Sequence, residues 1–173
     1  MDRDGQVTVG IDGPCGAGKS RLAGLLAGRF PHSAVFHADD FFLQPHQRIA
    51  TRLSEPGGNM DRERLTREVL EKLGAGRPFV YERFDCKCDA MVRMDAAPAR
   101  LNVVEGAYCL HPELRRFYSL KVFLDAPRDV RHARIARRNP GQLERFLSEW
   151  MPLEEKYFLA FGIREAVDLV LRG

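Results

Sequence analysis

Long apolar runs, targeting signals and repeats are all missing from this chain of 173 residues. No stretch approaches the roughly 18–20 consecutive apolar residues that a membrane-spanning helix needs, so we expect no contact with a membrane. The first residues carry acids rather than a basic segment followed by an apolar stretch and a cleavage site, so we expect a cytoplasmic protein. The absence of repeats, linkers and low-complexity segments favours a single domain over residues 1–173.

Cysteine is also scarce, and its spacing argues against a zinc site. The chain has four cysteines, and they do not form the two close pairs that a four-ligand zinc site requires. We expect all of them to be free, reduced thiols, as is usual in the cytoplasm. The five histidines contain no pair at metal-ligand spacing, so surface or hydrogen-bonded structural roles are expected for them.

The excess of positive charge is small. There are 27 Lys and Arg residues against 24 Asp and Glu residues, which gives a formal net charge of +3. This excess is too small to favour a nucleic acid or a membrane surface as a partner. It is concentrated in one place, because five arginines and a single acid fall within residues 128–138. That stretch is the one feature of the charge distribution that needs a separate explanation.

Short apolar runs rich in β-branched residues alternate with helical patterns along the chain. Strands are predicted at 6–11, 34–37, 79–81, 101–104, 120–124 and 168–171. Helices are predicted directly after residue 20, from about 61 to 73, and at 128–138 and 142–161, the last bent at Pro152. Residues 44–59 are expected to form an irregular loop. Strands separated by helices predict a mainly parallel sheet that is covered on both faces.

A complete phosphate-binding motif follows the first predicted strand. Residues 13–20 match G-x-x-x-x-G-K-[ST] without a departure, and a helical pattern follows directly. Glycines in such a loop let backbone N–H groups converge on phosphate oxygens at a helix N-terminus. Lys19 is expected to reach the β- and γ-phosphates of ATP, and the Ser20 hydroxyl to bind Mg²⁺. The predicted nucleotide-binding residues are Gly13, Pro14, Cys15, Gly16, Ala17, Gly18, Lys19 and Ser20.

Cys15 lies inside this loop, where the helix N-terminus and the charge of Lys19 would both lower the pKa of a thiol. A redox-sensing role and a role as a small residue that fills the loop are both open.

Carboxylates follow two of the predicted strands. In open α/β sheets, ligands bind outside the carboxyl ends of the strands. Glu105 comes directly after one strand and could reach Mg²⁺ or its water shell, the alternative being an ion pair or a helix cap. Asp39 and Asp40 follow another, and the alternation of an extended chain points them in opposite directions. One of the two is expected to face the γ-phosphate and to act as base towards an attacking hydroxyl, and the residues alone do not decide which.

The arginine-rich segment at residues 128–138 is suited to bind a polyphosphate. Arg131, Arg134 and Arg138 lie within about 60° of one another on a helix. The planar guanidinium fork binds phosphate oxygens in pairs and stays charged at any working pH. A solvated face with ion pairs is the alternative, and no aromatic residues accompany the segment as base stacking on a nucleic acid would require.

Together these features resemble the uridine kinase-like nucleoside kinases, a group of P-loop kinases that also includes nicotinamide riboside kinase. The likeness covers 11–20, 37–42, 55–59, 81–86, 103–108 and the arginine helix. The P-loop motif is shared by many NTPases, whereas the Asp-Asp-Phe-Phe stretch at 39–42, placed before the Glu-Gly strand end at 105–106, is more particular. The resemblance implies a three-layer P-loop NTPase fold of the α/β class. Such a fold has a mainly parallel five-stranded sheet between helices and a short lid, here at about residues 128–141.

The resemblance also implies roles for individual residues. It favours Asp39 over Asp40 as the base towards a sugar 5′-hydroxyl. Glu55 matches, by position, the acid that holds the ribose hydroxyls, although aspartate is the usual residue. Tyr81 falls where an aromatic ring lines the nucleoside pocket and Phe84 is its companion, with core packing as the alternative for both. The acceptor side is thus assigned Asp39, Glu55, Tyr81, Phe84 and Glu105, the metal Ser20, Asp39 and Glu105, and the triphosphate Arg131, Arg134 and Arg138.

One departure concerns the acceptor. Uridine kinases carry a histidine in the stretch after that tyrosine, and Cys86 stands at the corresponding position here. The nucleoside base, and whether the acceptor is a pyrimidine nucleoside, are therefore left open.

The sequence thus predicts a kinase that uses ATP and Mg²⁺ to phosphorylate a hydroxyl of a small, nucleoside-like acceptor. Two other classes are weighed against it: a P-loop ATPase or switch acting on a protein partner, and a nucleotide sensor without catalysis. An Asn-Lys-x-Asp segment, which reads guanine in GTPases, is missing. A homo-oligomer is neither favoured nor excluded.

Overall fold

A sheet of five parallel strands forms the centre of the protein in the computed structural model, which describes residues 5–86 and 88–173. The strands of the chain are β1 (Val7–Asp12), β2 (Ser33–His37), β3 (Phe79–Asp85), β4 (Ala90–Ala96), β5 (Leu101–Glu105), β6 (Leu120–Asp125) and β7 (Leu169–Arg172). The order in the sheet is β2-β5-β1-β6-β7. β5 therefore lies between β1 and β2, with Glu105 paired in register to Ile11 on one side and to His37 on the other.

Helices lie between these strands. They are α1 (Lys19–Arg29), α2 (Ala50–Ser54), α3 (residues 62–75), α4 (Arg128–Arg138) and α5 (residues 143–161), with short 3₁₀ turns at Ala38–Phe41, Pro45–Gln47, Arg115–Phe117 and Pro140–Gln142. The predicted fold class, a five-stranded parallel sheet with flanking helices and an arginine-rich helix, is confirmed. No helix in the described ranges is both long and apolar enough to cross a membrane.

The sheet has an apolar layer on each face. Alternate residues of a strand point to opposite faces, and in β5 Val103 packs with α1 on one face while Val104 packs on the other. The second face carries the larger cluster, which includes Leu65 of α3 and Tyr157 of α5. Burial on both faces explains why the strands appear in the sequence as nearly continuous apolar runs.

The predicted strand at 79–81 does not belong to the sheet. β3 is longer than predicted and pairs antiparallel with β4, a strand that the sequence analysis missed, and the two form a separate hairpin. The residues of β4 (90–96) are mostly exposed and half-buried in turn, so the strand lacks the continuous apolar run by which the other strands were predicted. The hairpin is nevertheless anchored to the core, because the rings of Tyr81 and Phe41 stack with centroids 5.8 Å apart.

Local features explain where α3 begins and why α5 changes its winding. α3 begins where expected, since the Asp61 side chain accepts a hydrogen bond from the Arg64 amide at 2.9 Å and caps the helix. In α5 a π turn at Phe146–Trp150 ends two residues before Pro152. Because proline has no N–H to donate, the i→i−4 ladder is interrupted at this point and the helix adjusts its winding. The segment 44–59 contains α2 rather than being irregular throughout.

Candidate active site

The P-loop connects the end of β1 to the start of α1. Gly18 precedes the helix with φ 104° and no side chain caps the first turn. The first N–H groups of α1 therefore lack a side-chain cap and, together with the helix dipole, form a site for an anion. The Lys19 Nζ atom turns back along the loop and donates to the carbonyl oxygens of Gly13 at 2.6 Å and Pro14 at 3.2 Å. Ser20 is exposed beside it in the first turn.

The arginine helix α4 packs directly against this loop. Gly16 has φ 78°, and a Cβ atom there would lie 2.9 Å from the Arg131 carbonyl oxygen and 3.0 Å from its Cα atom. The contact thus requires glycine for its backbone conformation as well as for the close approach. Arg134 donates from Nη1 to the carbonyl oxygens of Gly16 and Ala17, both at 3.2 Å. Arg134 thus ties α4 to the P-loop, and the role of this helix as a lid stays a prediction.

The other two lid arginines face the same region. Arg131 is 8% exposed, and its Nε atom is buried without a hydrogen-bond partner in the described part of the chain. A buried donor of this kind is costly unless a ligand or water supplies an acceptor. Desolvation raises the pKa of Asp39, and the charge of Arg138 is among those that oppose this rise. The structure therefore brings Arg131, Arg134 and Arg138 to one side of the P-loop.

Asp39 lies in the 3₁₀ turn that follows β2, at the same edge of the sheet as the P-loop. Its side chain is exposed to solvent although many protein atoms surround it. Desolvation raises the pKa of Asp39 above its ordinary value, although the charge of Lys19 lowers it. Asp40 has different neighbours: desolvation raises its pKa too, and Arg83 and Arg64 are among the charges that lower it. The two carboxylates share the charge of His37 but differ in the other charges around them. The prediction from alternation along an extended chain does not apply, because β2 ends at His37 and both residues lie in the 3₁₀ turn.

Glu105 ends β5 next to Asp39 and forms an ion pair. Its Oε1 atom lies 2.6 Å from His37 Nδ1, and the Glu105 side chain is 5% exposed. The hydrogen bond from His37 raises the pKa of that imidazole. Asp39 packs closely against the next residue, because a Cβ atom added at Gly106 would lie only 3.2 Å from Asp39 Oδ1. The ion pair weighed as the alternative for Glu105 is therefore present, and its metal role stays a prediction.

The donors at this edge suit Mg²⁺ more than zinc. The described residues include no group of three or more His, Cys, Asp or Glu side chains placed to hold a metal ion. Mg²⁺ is usually held by one or two carboxylates, with phosphate oxygens and water completing its octahedron. Asp39, Glu105 and the Ser20 hydroxyl are oxygen donors of that kind, so the residues present fit a Mg²⁺ ion that arrives with a nucleotide.

The comparisons with known proteins agree with this geometry. No protein-family model matches the chain. Among solved structures, a protein described as a possible uridine kinase from Bacillus stearothermophilus superposes with a TM-score of 0.78 at 22% identity, covering 99% of this chain and 91% of that one. D-glycerate 3-kinase from Cryptococcus neoformans superposes with a TM-score of 0.63 at 18% identity, covering 99% and 87%. This chain has the fold of the uridine kinase-like P-loop kinases.

Curated relatives match only in part. Inorganic pyrophosphatase TTM2 of Arabidopsis thaliana is 31% identical over 127 residues, 69% of this chain and 18% of that protein. Uridine-cytidine kinase C of Dictyostelium discoideum is 26% identical over 119 residues, 67% of this chain and 26% of that protein. The chain thus spans about a fifth to a quarter of the length of these relatives.

The residues predicted for the acceptor side of this kinase fold are only partly brought together. Tyr81 and Phe84 are 7% and 5% exposed, and the Tyr81 ring packs on Phe36 and Phe41 within the core. The core-packing alternative is thus realised for both rings, and their contact with an acceptor stays a prediction. Glu55 lies in a surface group of charges, 3.3 Å from Arg62. Its role towards ribose hydroxyls is likewise still a prediction.

The sequence analysis missed two residues that position the candidate site. Arg64 is 4% exposed, donates to the Asp40 carbonyl oxygen at 3.0 Å and lies over the Phe41 ring at 4.4 Å. It therefore holds the turn that carries Asp39. Glu154 of α5 is 5% exposed, and its Oε2 atom accepts a hydrogen bond from the backbone N–H of Cys15 at 2.8 Å. The signal for Glu154 was its spacing, since it falls between the buried Met151 and Tyr157 on one face of the helix.

Glu154 also corrects the expectation for Cys15. The lowered thiol pKa predicted from the loop is wrong: burial and then the charge of Glu154 raise the pKa of Cys15 to about 12. Lys19 and Arg131 act in the expected direction but are outweighed. The role of Cys15 as a residue that fills the loop is the one the structure favours.

Proposed function

We propose that this chain is an ATP- and Mg²⁺-dependent kinase that transfers the γ-phosphoryl group to a hydroxyl of a small, nucleoside-like acceptor. One observation carries the proposal: Asp39 lies in the turn after β2, at the same edge of the parallel sheet as the P-loop, and the charges of Lys19 and Arg138 both act on its carboxylate. A carboxylate in that position would face the end of a triphosphate bound to the P-loop. A protein that only binds nucleotide has no need for it.

The chain's own residues divide the chemistry of transfer between them. The first amides of α1 and Lys19 hold the β- and γ-phosphates, and Arg131, Arg134 and Arg138 neutralise charge on the oxygens of the transferred group. The buried Nε of Arg131 would gain its missing acceptor from a phosphate oxygen. Mg²⁺, when bound through Ser20, Asp39 and Glu105, would neutralise further charge on the phosphates.

Asp39 supplies the base in this scheme. It accepts the proton of the acceptor hydroxyl as the oxygen bonds to the γ-phosphorus and the bond to the β-phosphate oxygen breaks, which leaves ADP. Burial raises the pKa of Asp39, and a carboxylate of raised pKa is a better base at neutral pH. Among the charges that lower the pKa of Asp40 are His37, Arg83 and Arg64, whereas those of Lys19 and Arg138 act on Asp39, which supports the choice of Asp39.

The acceptor is bounded by the hairpin of β3 and β4. The likeness to a uridine-cytidine kinase supports a nucleoside, and Cys86 at the end of β3 is close enough to Asp39 for that carboxylate to raise its thiol pKa. A thiol in place of a histidine offers weaker hydrogen bonds to a base. The experiment that identifies the acceptor must therefore include hydroxyl compounds other than pyrimidine nucleosides.

A second candidate is the hydrolysis of a phosphoanhydride bond without an acceptor. The relative named an inorganic pyrophosphatase favours it, and the same loop, lid and carboxylates would bind pyrophosphate. In that reaction water would replace the acceptor hydroxyl beside Asp39.

One experiment separates these functions. Purified chain is incubated with Mg²⁺ and ATP and a panel of nucleosides, nicotinamide riboside, glycerate and pantothenate, and in parallel with pyrophosphate alone. Products are read by mass and released phosphate is measured. A new product heavier by about 80 Da, the mass of one phosphoryl group, from one acceptor class supports the kinase. Phosphate release that is as fast without an acceptor as with any of them would contradict it and support the hydrolase.

A further inference from the structure

A buried carboxylate, that of Glu154, lies against the P-loop. Glu154 of α5 is 5% exposed and lies one helical turn from the fully buried Met151 and Tyr157. Its Oε2 atom accepts the backbone N–H of Cys15 at 2.8 Å, across 139 residues of sequence. The charge of this carboxylate also acts on the thiol of Cys15 and raises its pKa. α5 thus contacts the loop through a polar group rather than through an apolar one.

This arrangement is costly unless it serves the loop. Desolvation raises the pKa of Glu154, although the charge of Lys19 lowers it. Burying a carboxylate is expensive, and its negative charge adjoins a loop that binds anions. An apolar side chain at the same position would avoid both costs but would leave the Cys15 amide without an acceptor.

The backbone N–H groups of the loop fall into two sets: some donate to acceptors in the protein, and others are available to phosphate. The Gly13 amide donates to Asp12 Oδ1 at 2.7 Å and the Ala17 amide to the Pro14 carbonyl at 3.1 Å. With the Cys15 amide bound to Glu154, three backbone donors of the loop are fixed by the protein itself. The donors at the start of α1 lack a side-chain cap and are left for phosphate.

We propose that Glu154 is a positioning residue for the nucleotide, whose carboxyl oxygen fixes the Cys15 amide and so holds the P-loop in its phosphate-binding form. The inference rests on the proposed function, because it assumes that the loop binds ATP. What matters in this role is the oxygen acceptor rather than the negative charge. A preformed loop does not have to be ordered when ATP binds, so the affinity for ATP is where the effect is measured.

Two substitutions at one position separate acceptor from charge. Glu154→Gln keeps an oxygen acceptor of the same shape and removes the charge, whereas Glu154→Ala removes both. The neighbouring Glu155 is exposed on the same helix, so Glu155→Ala is the matched control. The measurement is the Kd for Mg-ATP by titration calorimetry, with unfolding followed in parallel to establish that each variant is folded.

The expected order of affinities is specific. Loss of a buried hydrogen-bond acceptor should weaken Mg-ATP binding by about tenfold in Glu154→Ala, while Glu154→Gln and Glu155→Ala stay within about threefold of the parent chain. In turnover assays the KM for ATP should rise in Glu154→Ala with the KM for the acceptor unchanged. Alkylation of Cys15 should become faster in Glu154→Gln, because the charge that raises its thiol pKa is gone.

Several results would overturn the proposal. Parent-like ATP affinity in a folded Glu154→Ala would show that the loop does not need this contact. If Glu154→Ala fails to fold, the Gln variant still decides, because a tenfold loss there would assign the effect to charge. Failure of the proposed function would show in a different measurement. If the chain binds Mg-ATP but phosphorylates no acceptor, the proposed function fails, while the Kd values of the Glu154 variants still test the role of Glu154.

Discussion

Two buried tyrosines test whether the polar contacts between α5 and the P-loop stabilise the fold. The Tyr157 hydroxyl donates to Asp12 Oδ2 at 2.9 Å, and both residues are 0% exposed. Tyr118 is also buried, at 6% exposure, but its hydroxyl has no hydrogen-bond partner within the described ranges. Burial raises the pKa of both phenols well above the ordinary value, so both carry their proton at neutral pH. Replacing each by phenylalanine keeps the ring and removes the oxygen alone.

The two replacements should have opposite effects. A hydrogen bond to a charged group contributes about 1.5–3 kcal/mol, so Tyr157→Phe should lose about that amount. For a domain of this size 1 kcal/mol corresponds to about 2–4 °C in Tm, which predicts a fall of about 3–12 °C. In this variant Asp12 would still accept hydrogen bonds from the backbone N–H groups of Gly13 and Leu110. Tyr118→Phe removes a hydroxyl that has already lost its water without gaining a partner, so its Tm should stay the same or rise.

The assay is thermal unfolding of the three proteins at neutral pH, with urea unfolding to establish that the m-value is unchanged. An equal fall in Tm for both variants would mean that loss of oxygen volume, rather than the bond to Asp12, sets the cost. No fall in Tyr157→Phe would refute the reasoning directly.

Three further predictions follow from the site. Lys19→Ala should raise the Kd for Mg-ATP by at least about tenfold through loss of a charged donor, as measured by titration calorimetry. Gly16→Ala should lower stability by at least about 1–2 kcal/mol in urea unfolding, because a left-handed backbone and contact with Arg131 both oppose a Cβ atom. Gly24→Ala, on α1 with nothing within 4 Å, should instead gain about 0.5–1 kcal/mol. Because burial raises the pKa of Glu154, the folded protein takes up this proton more readily than the unfolded chain, and the associated stability is lost as pH rises through the folded pKa. The Tm of Glu154→Gln relative to the parent should therefore improve as the pH rises above about 4.5, the ordinary pKa of a glutamate.

The parts of the site that could be predicted are local in sequence or lie at strand ends. The P-loop is contiguous, and parallel strands bring their carboxyl ends to one edge, which places Asp39 and Glu105 near Lys19. The arginine helix was also predictable, since its charge and spacing lie within one element. Its bounds, Arg128–Arg138, match the prediction.

The remaining parts depend on contacts between distant segments. β4 alternates half-buried with exposed residues and pairs only with β3, so neither strand shows the buried pattern of the sheet. Glu154 is separated from Cys15 by 139 residues, and an acid on a helix is ordinarily a surface residue. The wrong direction predicted for the pKa of Cys15 follows from that one missed contact.

The central claim is that Asp39 serves a transfer reaction to an acceptor hydroxyl, and the most direct measurement compares Asp39→Asn with Asp40→Asn. Transfer of a labelled γ-phosphate from ATP to the best acceptor is followed at saturating Mg-ATP, with the Kd for Mg-ATP measured alongside. The account predicts that Asp39→Asn transfers about 10²–10⁴ times more slowly, as expected for loss of a general base, while nucleotide binding persists and Asp40→Asn is much less affected. Transfer at the parent rate by Asp39→Asn would contradict the account.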